Sequence, residues 1–186
     1  GWVRLTHRDP RELPLMIESV KIWEGLDARI DGNTGYTQCG STYAIASDAA
    51  LQAERKAQEE LGHYQIPTHL MDRDAALHCP RDGRAEPQMA APAIARAVQA
   101  RGGTVHQNCA VRVVETSQGK VSGVVTEQGR IACDAVLVAG GVWSRLFLRN
   151  IGIYLPQLRT RNTVLRTDAV EAGPQSNLKT TSFAIR

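Results

Sequence analysis

The run Ala135-Val136-Leu137-Val138-Ala139, followed at once by Gly140-Gly141, constrains this chain more than any other stretch. It shows no alternation of apolar and polar residues, which is the pattern of a strand covered on both faces. The two glycines end it, and Trp143 to Arg149 reads as a short helix. In open α/β sheets, a strand that opens through a turn into a helix places ligands at its carboxyl end. Glycine in that turn removes the Cβ, so a bulky group can approach the backbone. Taken alone, a strand–Gly-Gly–helix unit is more often just a tight connection, and its surroundings must decide between the two.

Upstream, Asp9-Pro10 is a helix start, with a carboxylate cap and then proline where a missing N–H costs nothing. Leu13, Met16, Ile17 and Val20 recur at helical spacing, and Gly25 marks the expected end. Residues 33–46 carry β-formers among glycines and predict a strand or hairpin. Ser47-Asp48 starts a polar helix that should stop at Gly62, and a short helical turn is expected from Asp72. Pro80 to Pro87 reads as a loop. Met89, Ala93, Ile94, Ala97 and Val98 then form one helical face, closed by Gly102-Gly103. Thr104 to Gln107 predicts a short strand. Val111 to Thr116, Val121 to Thr126 and Arg130 to Cys133, joined at Gln118-Gly119 and Gly129, predict an antiparallel meander. Leu155 to Arg166 is strand-like. Helix, strand, meander, buried strand and glycine turn together give a mixed α/β fold in which a parallel sheet is expected.

Composition narrows the function classes. With 42% apolar and 22% charged residues over 186 positions, the chain has the make-up of a globular protein. A net charge of +3, with Lys and Arg scattered apart from short clusters such as Arg159–Arg161, reads as solvated surface, so no nucleic-acid partner is expected. No apolar run approaches the roughly 18 residues of a membrane span. Cys39, Cys79, Cys109 and Cys133 form no CxxC pair, and the five histidines have no ligand spacing. No metal site is expected, and the cysteines read as reduced thiols of a cytoplasmic protein.

The order of these pieces is similar to a known family. Gly1-Trp2-Val3-Arg4, Arg8 to Pro14, Tyr36 to Gly40, Asp82-Gly83-Arg84-Ala85-Glu86-Pro87 and Ala139-Gly140-Gly141-Val142-Trp143-Ser144 follow one another here. The same order marks the FAD-dependent oxidoreductases of the D-amino-acid-oxidase type, which include sarcosine and glycine oxidases. The resemblance covers nearly the whole chain and implies FAD as cofactor. It places the backbone of Val111 on the adenine side, and brings Ala139, Gly140 and Gly141 to the cofactor with Trp143 and Ser144 close by. A packing role is the competing reading of Trp143. Trp2 and Arg4 would fall near the flavin or substrate face. The implied reaction is oxidation of an amine or amino acid by hydride transfer to flavin N5, giving an imine that water hydrolyses. No catalytic residue is assigned.

Three departures qualify that reading. No GxGxxG occurs, although the family uses that motif to set the FAD pyrophosphate on a helix N-terminus. The family also has a later segment that closes over the flavin, and Pro80 and Arg81 abut where its members carry a short extra stretch. The chain is therefore expected to be a central fragment, with residues absent or deleted at 80–81. The expected lobes are a mostly substrate-side lobe with connecting helices over 1–81, an FAD-side lobe over 82–155 and a return to the substrate side over 156–186. Unpaired strand edges imply further chain or homo-oligomer contacts. The alternatives are an FAD dehydrogenase of a hydroxy acid on the same scaffold and a cofactor-free remnant acting as a binding or assembly module.

Overall fold

The computed structural model describes residues 1–71, 76–168 and 173–186. The short helical turn expected at Asp72 lies outside the described residues. The chain divides into two compact units, residues 1–105 with 169–186 and residues 106–168. The expected lobes cut the chain at 82 and 156 instead. Helix α3 (Pro87–Ala100) belongs to the first unit, where the Arg101 guanidinium beyond its end donates to the Arg29 carbonyl at 2.5 Å.

In the first unit, β1 (Trp2–Val3) leads to a single turn of tight helix at Pro10–Glu12, capped by Asp9, whose side chain accepts the Arg11 N–H. Helix α1 (Leu13–Ile30) follows directly. It runs past Gly25, the expected stop, because a lone helical glycine costs only about 1 kcal/mol. The real end is Asp31, left-handed at φ 48°, with Gly32 N–H closing on the Asp27 carbonyl at 3.0 Å. The hairpin allowed for residues 33–46 is one strand, β2 (Ser41–Ala44). Helix α2 (Asp48–His63) starts as expected, with the Ser47 hydroxyl accepting the Ala50 N–H.

Strands β3 (His69–Met71), β4 (Ala76–Cys79), β9 (Asn177–Lys179) and β10 (Ala184–Ile185) join β2 in a five-stranded sheet, ordered β10-β9-β2-β4-β3. Its β2–β9 pairing is parallel and the rest are antiparallel, so the fold is mixed α/β but the sheet is not the parallel one expected. Strand β5 (Gly83–Arg84), inside the expected loop, pairs with β1. The abutting residues Pro80 and Arg81 form a tight turn, with Asp82 N–H directed at the Cys79 carbonyl at 3.4 Å.

The core of this unit gathers Val3, Leu5, Leu13, Val20, Leu61, Ile66, Cys79 and Ala85. Helix α3 turns Ala90, Ala93 and Ala97 inward and leaves Met89, Ile94 and Val98 partly exposed, a narrower face than the sequence pattern predicts. At the centre lies Asp82, fully buried. Its carboxylate accepts the Leu5 N–H at 2.7 Å, the Thr6 hydroxyl at 2.5 Å and the Tyr43 hydroxyl at 3.4 Å. A buried charge is tolerated because donors surround it.

In the second unit, β6 (Val111–Ser117), β7 (Lys120–Thr126) and β8 (Gly129–Ala132) form the expected meander. Gln118 and Gly119, both at positive φ, make a two-residue hairpin turn that suits strand twist. Gly123 is required by packing, since a Cβ there would sit 2.7 Å from the Ile131 carbonyl oxygen. Neither Thr104–Gln107 nor the strand-like Leu155–Arg166 forms a strand. The run Ala135–Ala139, expected to be a buried strand, has no strand partner among the described residues, and Leu137 is 92% exposed. An apolar run encodes a demand for burial but cannot supply the neighbouring strands that satisfy it. Helix α4 (Ser144–Asn150) follows the glycines as expected, after a tight turn over Gly141–Trp143.

Two outcomes follow for stability. Asp82→Ala strands the Leu5 N–H and one hydroxyl of the Thr6–Tyr43 pair and is expected to cost about 3–5 kcal/mol, read as a lower urea midpoint, while Asp82→Asn costs less. Burial, followed by the nearby Asp82 charge, pushes the Cys79 thiol from 9.0 up to about 12. Burial also raises the Tyr43 phenol. Between pH 9 and 12 the unfolded chain therefore holds fewer protons than the folded one, and stability falls as pH rises through that window. Urea melts at pH 8 and 10.5 should show this fall, and Cys79→Ala should make it shallower.

Candidate functional site

The sequence-predicted residues of the second unit meet around one concavity of about 290 Å³. Val111, Ala139, Gly140, Trp143 and Ser144 line it together with Val136, Leu137, Val138 and Phe147. Residues far apart in the chain are thus brought together by the start of β6 and by the turn into α4. Gly141 lies beside the group but does not line the cavity.

The two glycines have different physical reasons. Gly141 sits at φ 55°, a left-handed conformation that costs other residues roughly 1–2 kcal/mol, and no atom lies within 4 Å of a Cβ built there. Gly140 has an ordinary φ, but an added Cβ would come 3.3 Å from the Ser144 hydroxyl. Ser144 itself is buried, whereas Trp143 is 67% exposed. That exposure weighs against a packing role for the indole within this unit.

Two residues without a sequence signal hold the turn. Gln157 donates its amide N–H to the Gly141 carbonyl at 3.0 Å, and Arg145 donates to the Gln157 carbonyl at 3.2 Å. Gln157 comes from the irregular segment after α4 and Arg145 from the first turn of that helix, and neither periodicity nor spacing marks them for this contact. The Gln157 amide oxygen is buried without a partner among the described residues. At the rim of the meander, Arg112 binds Glu127 and holds its carboxyl below the usual range.

No charged side chain lines the concavity. An aromatic ring system with apolar faces fits such walls. A diphosphate does not, because it needs N–H groups or cations. The residues present thus fit one ring of a dinucleotide and not its phosphates. Among the described residues no three His, Cys, Asp or Glu side chains gather to hold a metal ion, and no helix is long and apolar enough to cross a membrane.

A second concavity, of about 500 Å³, lies within the first unit and is lined by Trp2 and Arg4 among others. Arg4 stacks over the Trp2 ring at 5.7 Å, and Trp2 meets Tyr43 edge-on at 6.1 Å. The buried carboxylate of Asp82 therefore fixes Tyr43, which in turn backs Trp2.

Comparison with known proteins decides the family. The model of the family described as FAD dependent oxidoreductase (DAO) matches residues 1–184. The chain belongs to the DAO family. Human mitochondrial sarcosine dehydrogenase is 29% identical over 160 residues, which cover 75% of this chain and 17% of that protein. D-amino acid dehydrogenase of Sinorhizobium medicae is 31% identical over 134 residues, 63% of this chain and 32% of that protein. The solved structure of L-amino acid deaminase from Proteus myxofaciens superposes with a TM-score of 0.81 at 26% identity, covering 97% of this chain and 45% of that one. This DAO-family chain thus spans less than half the length of each of these relatives.

Stability separates the two readings of the turn. Trp143→Ala is expected to change unfolding free energy by less than about 0.5 kcal/mol, as for an exposed site. Gly141→Ala should cost about 1–2 kcal/mol through its φ. A large loss for Trp143→Ala in urea melts would return that indole to a packing role.

Proposed function

We propose that this chain is part of an FAD-dependent oxidoreductase that oxidises an amine or amino acid. The carrying observation is the convergence of Val111, Ala139, Gly140, Trp143 and Ser144 on one uncharged concavity in a chain of the DAO family. The names of the relatives, which act on sarcosine, D-amino acids or L-amino acids, support an amine-bearing substrate. When bound, FAD supplies the hydride acceptor at flavin N5.

The chain's own residues would bind and orient. In this reading the Val111 backbone and the Ala139–Gly141 strand end lie against the adenine side, with Gly141 leaving its open face to the ligand. Trp143 covers the ring and excludes water, and Ser144 holds the turn from below. The 82–155 lobe is then the cofactor side and the remainder the substrate side. All six candidate residues fall in the compact unit 106–168, which supports a cofactor role for that part of the lobe. Four free thiols support a reducing compartment such as the cytoplasm. The unpaired run Ala135–Ala139 supports burial against further chain or a second copy.

The test is the visible absorption spectrum of the purified protein before and after incubation with FAD and removal of the excess. A retained flavin band, bleached anaerobically by an amine or amino acid, is the expected result. Trp143→Ala should weaken retention about tenfold with stability unchanged, the loss of a stacked ring contact of ~1.4 kcal/mol. Absence of the flavin band after incubation would favour a cofactor-free remnant, and bleaching only by hydroxy acids would move the substrate class.

A further inference from the structure

We propose that the outer face of the five-stranded sheet binds a divalent transition-metal ion between His69 of β3 and His78 of β4. These residues play no part in the proposed cofactor and substrate sites, so the inference is independent of that reading.

The two histidines show no ligand spacing along the chain because they lie on separate strands, and only strand pairing brings them together. His69 is directly opposite His78 in the antiparallel β3–β4 pair, and His78 is opposite Thr42 in the β2–β4 pair. Residues paired in this way share a face of the sheet, with Cβ atoms about 4.5–5.5 Å apart. That face is the outer one, because the alternating neighbours Tyr43, Leu77 and Cys79 are buried. Two imidazoles at such a spacing can close on one ion at metal–nitrogen distances of about 2.0–2.1 Å.

His78 is held in the way a metal ligand is held. Its Nδ1 meets the Thr42 hydroxyl at 3.0 Å, and that hydroxyl meets Ser176 at 3.0 Å. With Nδ1–H donating to Thr42 and Thr42 donating to Ser176, Nε2 carries the free lone pair. The two nitrogens lie on opposite sides of the ring, so Nδ1 on the β2 side leaves Nε2 on the side of β3. A partner on the second nitrogen is what fixes ring orientation in metal-bound histidines. Gly40 makes room for the ring: a Cβ there would come 2.6 Å from His78 Cε1 and 3.0 Å from Nε2. Imidazole pairs suit Ni²⁺, Cu²⁺ or Zn²⁺, whereas Mg²⁺ and Ca²⁺ demand oxygen ligands.

The experiment titrates tag-free protein with Ni²⁺ by calorimetry at about neutral pH, with Mg²⁺ as the hard-ion control. One Ni²⁺ is expected to bind per chain. His69→Gln, at an exposed position, should weaken that binding at least about tenfold by removing one arm of the chelate. Thr42→Val, which keeps the strand-forming shape and removes the hydroxyl behind Nδ1, should weaken it about tenfold. His63→Gln, at the exposed end of α2, should leave it unchanged. Bound Ni²⁺ should raise the melting temperature of the unmodified chain and not of His69→Gln, because the ion joins β3 to β4. Unchanged affinity in His69→Gln, an equal loss in His63→Gln, or Mg²⁺ binding as tightly as Ni²⁺ would each overturn the proposal.

Discussion

A single buried carboxylate ties the first unit together. Asp82 sits in the turn region between β4 and β5, far in sequence from Leu5 and Thr6 and from Tyr43 on β2. A desolvated charge would be intolerable alone, so its presence fixes where those donors must lie. Each donor in turn places something else. Leu5 belongs to the core cluster with Val3 and Leu13, and Tyr43 backs Trp2 and the ring of His7. The core and the shape of the larger concavity thus depend on one set of short hydrogen bonds.

The second unit is organised on a different principle. Its meander is built from local hairpins whose geometry is set by Gln118-Gly119 and by the close approach of Gly123 to Ile131. The turn into α4 leans on Gln157 and Arg145, and around it lies apolar surface with no charge and little cover. Such a surface suits a flat ring, and the same feature explains why the phosphates of a dinucleotide need groups that this concavity does not provide.

Much of the fold was legible because its signals are local. Ser47 and the polar helix behind it, the glycine end of α3 and the three strands of the meander all follow from residues within a few positions of each other. Errors arose where a signal needs a distant partner. Ala135–Ala139 and Thr104–Gln107 have strand-like composition, yet a strand exists only when another strand supplies its hydrogen bonds. Gly25 misled for the opposite reason, since a helix with enough buried contacts carries one unfavourable glycine. The candidate site was read largely from Val111 and the Ala139–Ser144 stretch. Gln157 escaped because nothing in its neighbourhood has a period or a motif.

By itself, the sequence determined the family, through the Asp82–Pro87 and Ala139–Ser144 stretches, and the local elements set by caps, turns and periodicity. Tertiary structure alone decided that Asp82 is the buried hub, that β5 forms inside an expected loop, and that Val111 reaches the glycine turn across intervening strands. The physical reason is range: helix caps and hairpin turns are closed by neighbours in the chain. Burial of a charge and the walls of a cavity are set by residues tens of positions apart, which only the folded chain brings together.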